Sequence, residues 1–145
     1  MLWFWAALTA ASLWGFSYAL AENVLKSGIS STALMAFYTW IAAPIFTFIA
    51  FRNGSLKSGM ALAKDNPVTI LSVVALVICY FLGNLLVYWA IKQKDATTVS
   101  LIEISYPFFV ALFSYLIFNS LHLTWQSVAG GVLIFTGVVV ISWVR

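Results

Sequence analysis

Long apolar stretches, separated by short polar connectors, constrain the fold of this chain most strongly. Each stretch is about as long as the roughly 20 residues that an α-helix needs to cross a bilayer. The chain is 63% hydrophobic and 8% charged, whereas a soluble domain carries roughly 25% charged residues. Lipid tolerates an apolar exterior, provided that the backbone satisfies its own hydrogen bonds. The pattern therefore predicts an all-α membrane protein.

The stretches predict about five transmembrane helices. They cover approximately Leu2–Ala21, Thr32–Phe51, Pro67–Ile91, Thr98–Phe118 and Trp125–Val144. The segment Arg52–Asn66 is predicted to be the one longer loop, and no connector is long enough to separate domains. We therefore expect residues 1–145 to form a single transmembrane domain, a compact bundle.

The basic residues give almost no preferred orientation in the membrane. With five spans the termini lie on opposite sides. One side then carries Arg52, Lys57 and Lys64, and the other carries Lys26, Lys92, Lys94 and Arg145. Orientation normally follows a clear excess of basic residues in the cytoplasmic loops. Two alternatives stay open: insertion in both orientations, or one orientation set by the first helix.

Several function classes are not supported by the sequence. The basic residues are scattered, whereas a nucleic-acid surface needs them clustered. Cys79 lies in an apolar run and His122 in a short connector, so neither has a second metal ligand nearby. No nucleophile–base pair or phosphate loop is present. We expect no enzyme, no metal or cofactor, and no nucleic-acid partner. The N-terminus lacks a basic segment and is expected to be a first span rather than a cleaved signal peptide.

Two helical faces carry polar and aromatic groups at the spacing i, i+4, i+8. They comprise Trp14, Tyr18 and Glu22 on the first helix, with Glu22 just past its apolar span, and Tyr80, Asn84 and Tyr88 on the third. Residues at this spacing share one face of a helix, and polar atoms in lipid are better turned towards other helices. The two faces indicate either a substrate pathway or interhelical hydrogen bonding without a cavity.

Glu103 is the most costly residue in the apolar spans. It lies about 10 Å into the fourth span, at 1.5 Å per residue, and no basic residue lies within any span. An ionisable group at such depth is a functional hypothesis by default. Proton coupling is one interpretation. The alternatives are a structural hydrogen bond or a position near enough to the interface to stay hydrated. Glu22 is less informative because Lys26, four residues on, can pair with it.

Prolines and small residues predict where helices bend and approach each other. Pro44 and Pro107 lie inside the second and fourth spans, where each removes a backbone donor and should kink its helix. The fifth span carries small residues that permit close helix packing, either within the chain or between chains. They are Ser127, Gly130, Gly131 and Gly137.

Three runs resemble the EamA domain of the drug/metabolite transporter superfamily. Trp14–Tyr18 resembles its first-helix motif, Leu101–Phe108 its fourth helix and Gly130–Val138 its fifth. The resemblance covers nearly the whole chain in the same order and spacing. Two positions depart from the family pattern: Asn119-Ser120 replaces a common Gly-Glu, and Glu22 stands where many members have Lys.

The resemblance implies a half-size transporter. Most relatives fuse two such five-helix halves in inverted topology, with the substrate cavity between them, so a single half implies a pair, which we expect to be a homodimer. The nearly even charge count is compatible with an antiparallel pair, as in other carriers with inverted repeats. Parallel pairing or a different partner stays open.

Together these observations predict a multi-pass carrier of a small organic solute in a prokaryotic cytoplasmic membrane. It would work by alternating access as an exporter or exchanger, with export favoured by the resemblance. The predicted pathway consists of Trp14, Tyr18, Tyr80, Asn84, Tyr88, Glu103 and Tyr106. The alternative is a non-transporting membrane subunit that packs against a partner protein.

Overall fold

The computed structural model describes residues 1–119 and 124–143. Within these ranges the chain is helical and contains no strand, which confirms the all-α class. The helices are α1 (Leu2–Lys26), α2 (Ser31–Arg52), α3 (Ser55–Asp65), α4 (Pro67–Gln93), α5 (Ala96–Glu103), α6 (Tyr106–Phe118) and α7 (Trp125–Trp143). The remaining predictions at His122, Ser120 and Arg145 fall outside the described residues.

Four segments in the described part are long and apolar enough to cross a membrane. They are α1, α2, α4 and the combined segment Ala96–Phe118 that contains α5 and α6. The apolar part of α7, Trp125–Ile141, is shorter. Most large apolar side chains on these helices are exposed, as expected where lipid replaces water.

The central unit comprises residues Leu20–Gln93 and has its own packing. It contains the end of α1 together with α2, α3 and α4, and α3 contacts both of its neighbours. Leu25 and Ile91 are each only 1% exposed. Asn53 and Gly54 connect α2 to α3, and Gly54 adopts a φ of 69°, a left-handed conformation that favours glycine.

The predicted loop at Arg52–Asn66 is wrong because α3 occupies most of it. Leu56, Met60 and Ala63 recur at helical spacing, and Leu56 and Ala63 are partly buried. Charged residues lie between and beside these apolar ones, so the helical spacing was not recognised from the sequence. A short helix with exposed lysines between two spans is typical of an element that lies at the membrane surface.

The terminal unit comprises Met1–Ala19 and the described part of Lys94–Arg145. It contains most of α1 together with α5, α6 and α7, and α5 contacts α7. The rings of Phe108 in α6 and Phe135 in α7 lie 6.2 Å apart. Ala96, at the start of α5, is buried.

The predicted fourth helix, Thr98–Phe118, is divided into α5 and α6. Ile104 and Ser105 separate the two segments, and Pro107 lies in the first turn of α6. Proline has no backbone N–H to donate to the carbonyl of Glu103 and its ring clashes with that turn, so the helix breaks just before it. By contrast, α2 runs without interruption through Pro44.

Candidate polar site in the membrane spans

Tyr18 and Glu103 form a polar contact between two helices of the terminal unit. The Tyr18 hydroxyl donates a hydrogen bond to Oε1 of Glu103 at 3.0 Å. Both side chains are partly buried, whereas every other residue of Met1–Ala19 is exposed. The contact joins α1 to α5 across 85 positions of sequence. Two predicted pathway residues therefore come together in the folded chain.

Glu103 occupies a special backbone position as the last residue of α5. The amide of Ile104 still donates to the carbonyl of Ser100 at 3.0 Å, and Ser105 donates to Ile102 at 3.1 Å. The helix then restarts beyond Ser105 with Pro107 in its first turn. The carboxyl therefore lies beside a discontinuity within a membrane span, where neighbouring backbone groups differ from those of a regular helix.

Tyr38 and Tyr80 form a second polar contact, in the central unit. Their hydroxyl oxygens lie 3.1 Å apart, which joins α2 to α4. Sequence reasoning selected Tyr80 and missed Tyr38, although Tyr38 also places a hydroxyl inside an apolar span. A hydroxyl in lipid favours a polar partner on another helix, so each such tyrosine in a span is a candidate for such a pair.

Asn84 and Tyr88, the other residues of the polar face predicted on the third span, follow Tyr80 along α4. Asn84 donates its side-chain amide to the carbonyl of Tyr80 at 2.8 Å. Asn84 and Tyr88 are both partly buried. This polar face is therefore partly hydrogen-bonded within α4, and the Tyr80 hydroxyl also contacts Tyr38 of α2.

Trp14, Tyr106 and Glu22 differ from the residues above. Trp14 and Tyr106 are 61% and 53% exposed. The Trp14 carbonyl accepts from the Ser17 hydroxyl at 2.9 Å, but within the described residues neither side chain has a hydrogen bond or ring contact. Glu22 forms an ion pair with Lys26 near the end of α1, as the spacing of four residues predicted. Glu103 thus differs from Glu22, since its hydrogen bond comes from a neutral hydroxyl.

The small residues of α7 face open space within the chain. An added Cβ at Gly130, Gly131 or Gly137 would meet no heavy atom within 4 Å apart from its own helix and chain neighbours. Ser127 is hydrogen-bonded locally to Thr124, with hydroxyl oxygens 2.8 Å apart. Close packing at the three glycines within the described chain is therefore not observed, and packing between chains stays a prediction.

Asp95 begins α5 outside the apolar spans. The backbone N–H of Thr98 donates to Oδ1 of Asp95 at 2.6 Å, and the Thr98 hydroxyl donates to Oδ2 at 2.9 Å. The backbone hydrogen bond, with the hydroxyl as second cause, lowers the pKa of Asp95 from its ordinary value of 3.8. Asp95 is thus the N-cap of α5.

No group of three or more metal-ligating side chains occurs within residues 1–119 and 124–143. What the spans offer instead are a few carboxyls, hydroxyls and side-chain amides among apolar side chains. Such groups can bind or release a proton and can hydrogen-bond a polar solute. This chemistry suits binding and translocation.

The arrangement of apolar helices with few polar contacts is that of a known family of membrane proteins. The model of the EamA-like transporter family matches residues 1–143. This chain belongs to that family. The resemblance seen in the three sequence runs is therefore confirmed, and the chain is a transporter-type membrane protein. No curated protein and no solved structure matches it.

Membership in the EamA-like transporter family gives the polar contacts a context. Members of a transporter family are transporters rather than enzymes, and a transporter must present polar groups within the bilayer. The Tyr18–Glu103 and Tyr38–Tyr80 contacts are side-chain hydrogen bonds that join different spans.

Proposed function

We propose that the chain is a carrier that moves a small organic solute across a prokaryotic cytoplasmic membrane by alternating access. The proposal is supported by family membership and by one observation above all, the carboxyl of Glu103 held by Tyr18 within a membrane span. Acids in such a position commonly mark substrate or proton pathways. The direction that the family resemblance favours is export, alone or in exchange for protons.

Glu103 supplies the ionisable group of the proposed pathway. Protonated, it can donate as well as accept hydrogen bonds, and ionised it is an acceptor that attracts cations. The Tyr18 hydroxyl can donate to either form. Competition between a proton and a solute for this carboxyl would couple the two movements, and the interrupted helix beside it supplies a place where the chain can bend.

The other proposed pathway residues contribute aromatic surface and neutral hydrogen bonds. They are Trp14, Tyr80, Asn84, Tyr88 and Tyr106. Aromatic faces bind apolar and cationic groups, so amino acids, aromatic metabolites and drugs are suitable classes of solute. We further propose a homodimer, in antiparallel or parallel arrangement, with α7 as the fifth span.

Reconstitution of the purified protein tests the proposal directly. Proteoliposomes with an imposed pH gradient are screened with labelled amino acids, aromatic metabolites and cationic drugs, and protein-free liposomes serve as the control. We expect a pH-dependent flux for one of these classes. A protein that folds and reconstitutes but carries none of them would favour the second candidate below.

A non-transporting membrane subunit is the second candidate, and the open face of α7 favours it. An added Cβ at Gly130, Gly131 or Gly137 would meet no heavy atom within 4 Å beyond its own helix and chain neighbours, which leaves room for another protein to pack there. Under this proposal the Tyr18–Glu103 hydrogen bond is structural. Affinity isolation in mild detergent would then recover a different membrane protein in fixed ratio, whereas the carrier proposal expects copies of this chain.

A further inference from the structure

An open groove of about 610 Å³ lies between the start of α2 and the end of α4, within the central unit. Its α4 wall changes in chemistry along the helix. Leu85, Leu86 and Trp89 make an apolar section, and Lys92 and Gln93 follow at the end. From Leu85 to Lys92 the helix rises about 10 Å. The groove is therefore amphipathic, with its charge at one end.

The α2 wall adds hydroxyl groups to the polar end. Ser30, Ser31 and Thr32 line it, and the hydroxyl oxygens of Ser30 and Thr32 lie 3.1 Å apart. Ser30 also accepts the backbone N–H of Ala33 at 3.2 Å, so the helix start is already capped by its own side chain. These hydroxyls can still hydrogen-bond the polar part of a ligand.

The charge of the groove is positive and is not neutralised by the protein. The Lys92 side chain makes no ion pair or hydrogen bond with the described residues. The acid closest to it in sequence, Asp95, accepts two hydrogen bonds from Thr98 instead. A ligand that complements Lys92 is therefore an anion, and the apolar section requires that it also carry a hydrocarbon part.

The position along α4 indicates where that anion comes from. The apolar run of α4 ends at Ile91, so Lys92 comes at the level of the lipid headgroups, and Trp89 fits the interfacial belt. Leu86 and Trp89 are 64% and 58% exposed, so the groove opens sideways. A molecule already in the bilayer can enter it without crossing water.

We propose that this groove binds an anionic phospholipid of the surrounding bilayer. Its phosphate contacts Lys92 and the hydroxyls of Ser30 and Thr32, and one acyl chain lies along Leu85, Leu86 and Trp89. The site belongs to the central unit and does not depend on the proposed transport activity. One lysine near an anionic membrane surface is worth about a fivefold change in affinity.

Native mass spectrometry of the full chain, titrated with lipids, tests the site. Phosphatidylglycerol and phosphatidylcholine with identical acyl chains are compared on wild type, Lys92→Gln and the matched control Lys94→Gln, since Lys94 does not line the groove. We expect wild type and Lys94→Gln to prefer phosphatidylglycerol, and Lys92→Gln to lose about fivefold of that affinity. Leu86→Asn should weaken both lipids, because it interrupts the apolar section. All of these positions are exposed, so the variants should fold.

Three results would overturn the proposal. Equal losses in Lys92→Gln and Lys94→Gln would indicate attraction to the whole surface instead of a site. Full competition by glycerophosphoglycerol, which has the headgroup without acyl chains, would assign the groove to a soluble anion. Dimers free of lipid beside lipid-bound monomers would show that a second copy covers the groove.

Discussion

The terminal and central units solve the same structural problems with different chemistry. In the terminal unit Tyr18 donates to the carboxyl of Glu103, whereas in the central unit two hydroxyls, of Tyr38 and Tyr80, meet each other. The helix caps differ in the same way, since Asp95 begins α5 and Ser30 begins α2.

This difference separates groups that can respond to protons from groups that cannot. A hydroxyl pair and a serine cap keep one charge state throughout the physiological pH range, whereas carboxyls can gain or lose a proton. If transport is coupled to protons, the terminal unit is where coupling should lie. The central unit, by this argument, supplies the neutral Tyr38–Tyr80 contact and the proposed lipid-binding groove, and its carboxyl at Glu22 is already paired with Lys26.

The largest expected effect is that of Glu103→Gln. Glutamine keeps the shape and can still accept from Tyr18, but it cannot ionise, so the variant should fold, dimerise and lose pH-driven transport to the level of empty liposomes. Flux is measured across a series of pH gradients. Glu22→Gln, at the end of α1, is the matched control and should keep its pH dependence. An unaltered pH profile in Glu103→Gln would assign this acid to structure, and failure to fold would point to the hydrogen bond.

The second prediction concerns orientation, which the central unit should decide because most basic residues lie in it. Adding two lysines to α3, by Ser58→Lys and Gly59→Lys, should give one side of the membrane a clear positive excess. A C-terminal reporter should then change from mixed to single-sided. Two glutamines at the same exposed positions are the control. A reporter that is already single-sided in the native chain would rule out a dual-topology homodimer.

The third prediction places the dimer contact on α7, in the terminal unit. Gly131→Leu should weaken dimers by roughly 1–3 kcal/mol through overpacking, and it should leave the monomer folded because nothing lies within 4 Å of an added Cβ. Gly83→Leu is the control, at an equally open glycine of α4 in the central unit. Cross-linking and thermal unfolding measure the two effects. Unchanged cross-linking in Gly131→Leu would show that α7 faces lipid.

The fourth prediction compares the two interhelical hydrogen bonds. Tyr38→Phe and Tyr80→Phe, alone and together, should show a coupling energy of about 0.6 kcal/mol, the average for such bonds in membranes, with no shift in the pH profile of transport. Tyr18→Phe should shift that profile because it removes the donor to Glu103. A pH shift from the Tyr38 or Tyr80 variants would place proton coupling in both units and end the distinction.

The smallest expected effect belongs to the helix caps. The pKa of Asp95 is lowered in the folded chain. Its ionised form therefore stabilises the fold at every pH above the ordinary pKa of an aspartate, and this contribution is lost as the pH falls through the lowered pKa. The stability difference between wild type and Asp95→Asn should therefore be constant above about pH 5 and shrink below about pH 4. Ser30→Ala should give a loss that does not vary with pH. Thermal unfolding in detergent between pH 7 and pH 3 distinguishes them.

The sequence alone determined the membrane class, most helix positions and the residues whose chemistry is unusual for lipid. Apolar length and composition are local properties, so α1, α2, α4 and the α5–α6 segment could be found without a structure. Glu103 stood out for the same reason, because a carboxyl in an apolar run is costly wherever the chain folds. The family followed from local motifs as well.

Tertiary structure decided which of those residues have partners. Tyr38 was missed, and Trp14 and Tyr106 proved exposed, because hydrogen bonds between helices depend on how distant segments rotate and pack. Packing between distant segments also explains why α3 was missed, since its apolar spacing becomes recognisable only where α3 contacts α2 and α4. It likewise explains why the sequence did not show that the glycines of α7 lack close contacts within the chain. The sequence places polar groups at a depth in the membrane, whereas contacts such as Tyr18–Glu103 exist only once two helices turn the right faces to each other.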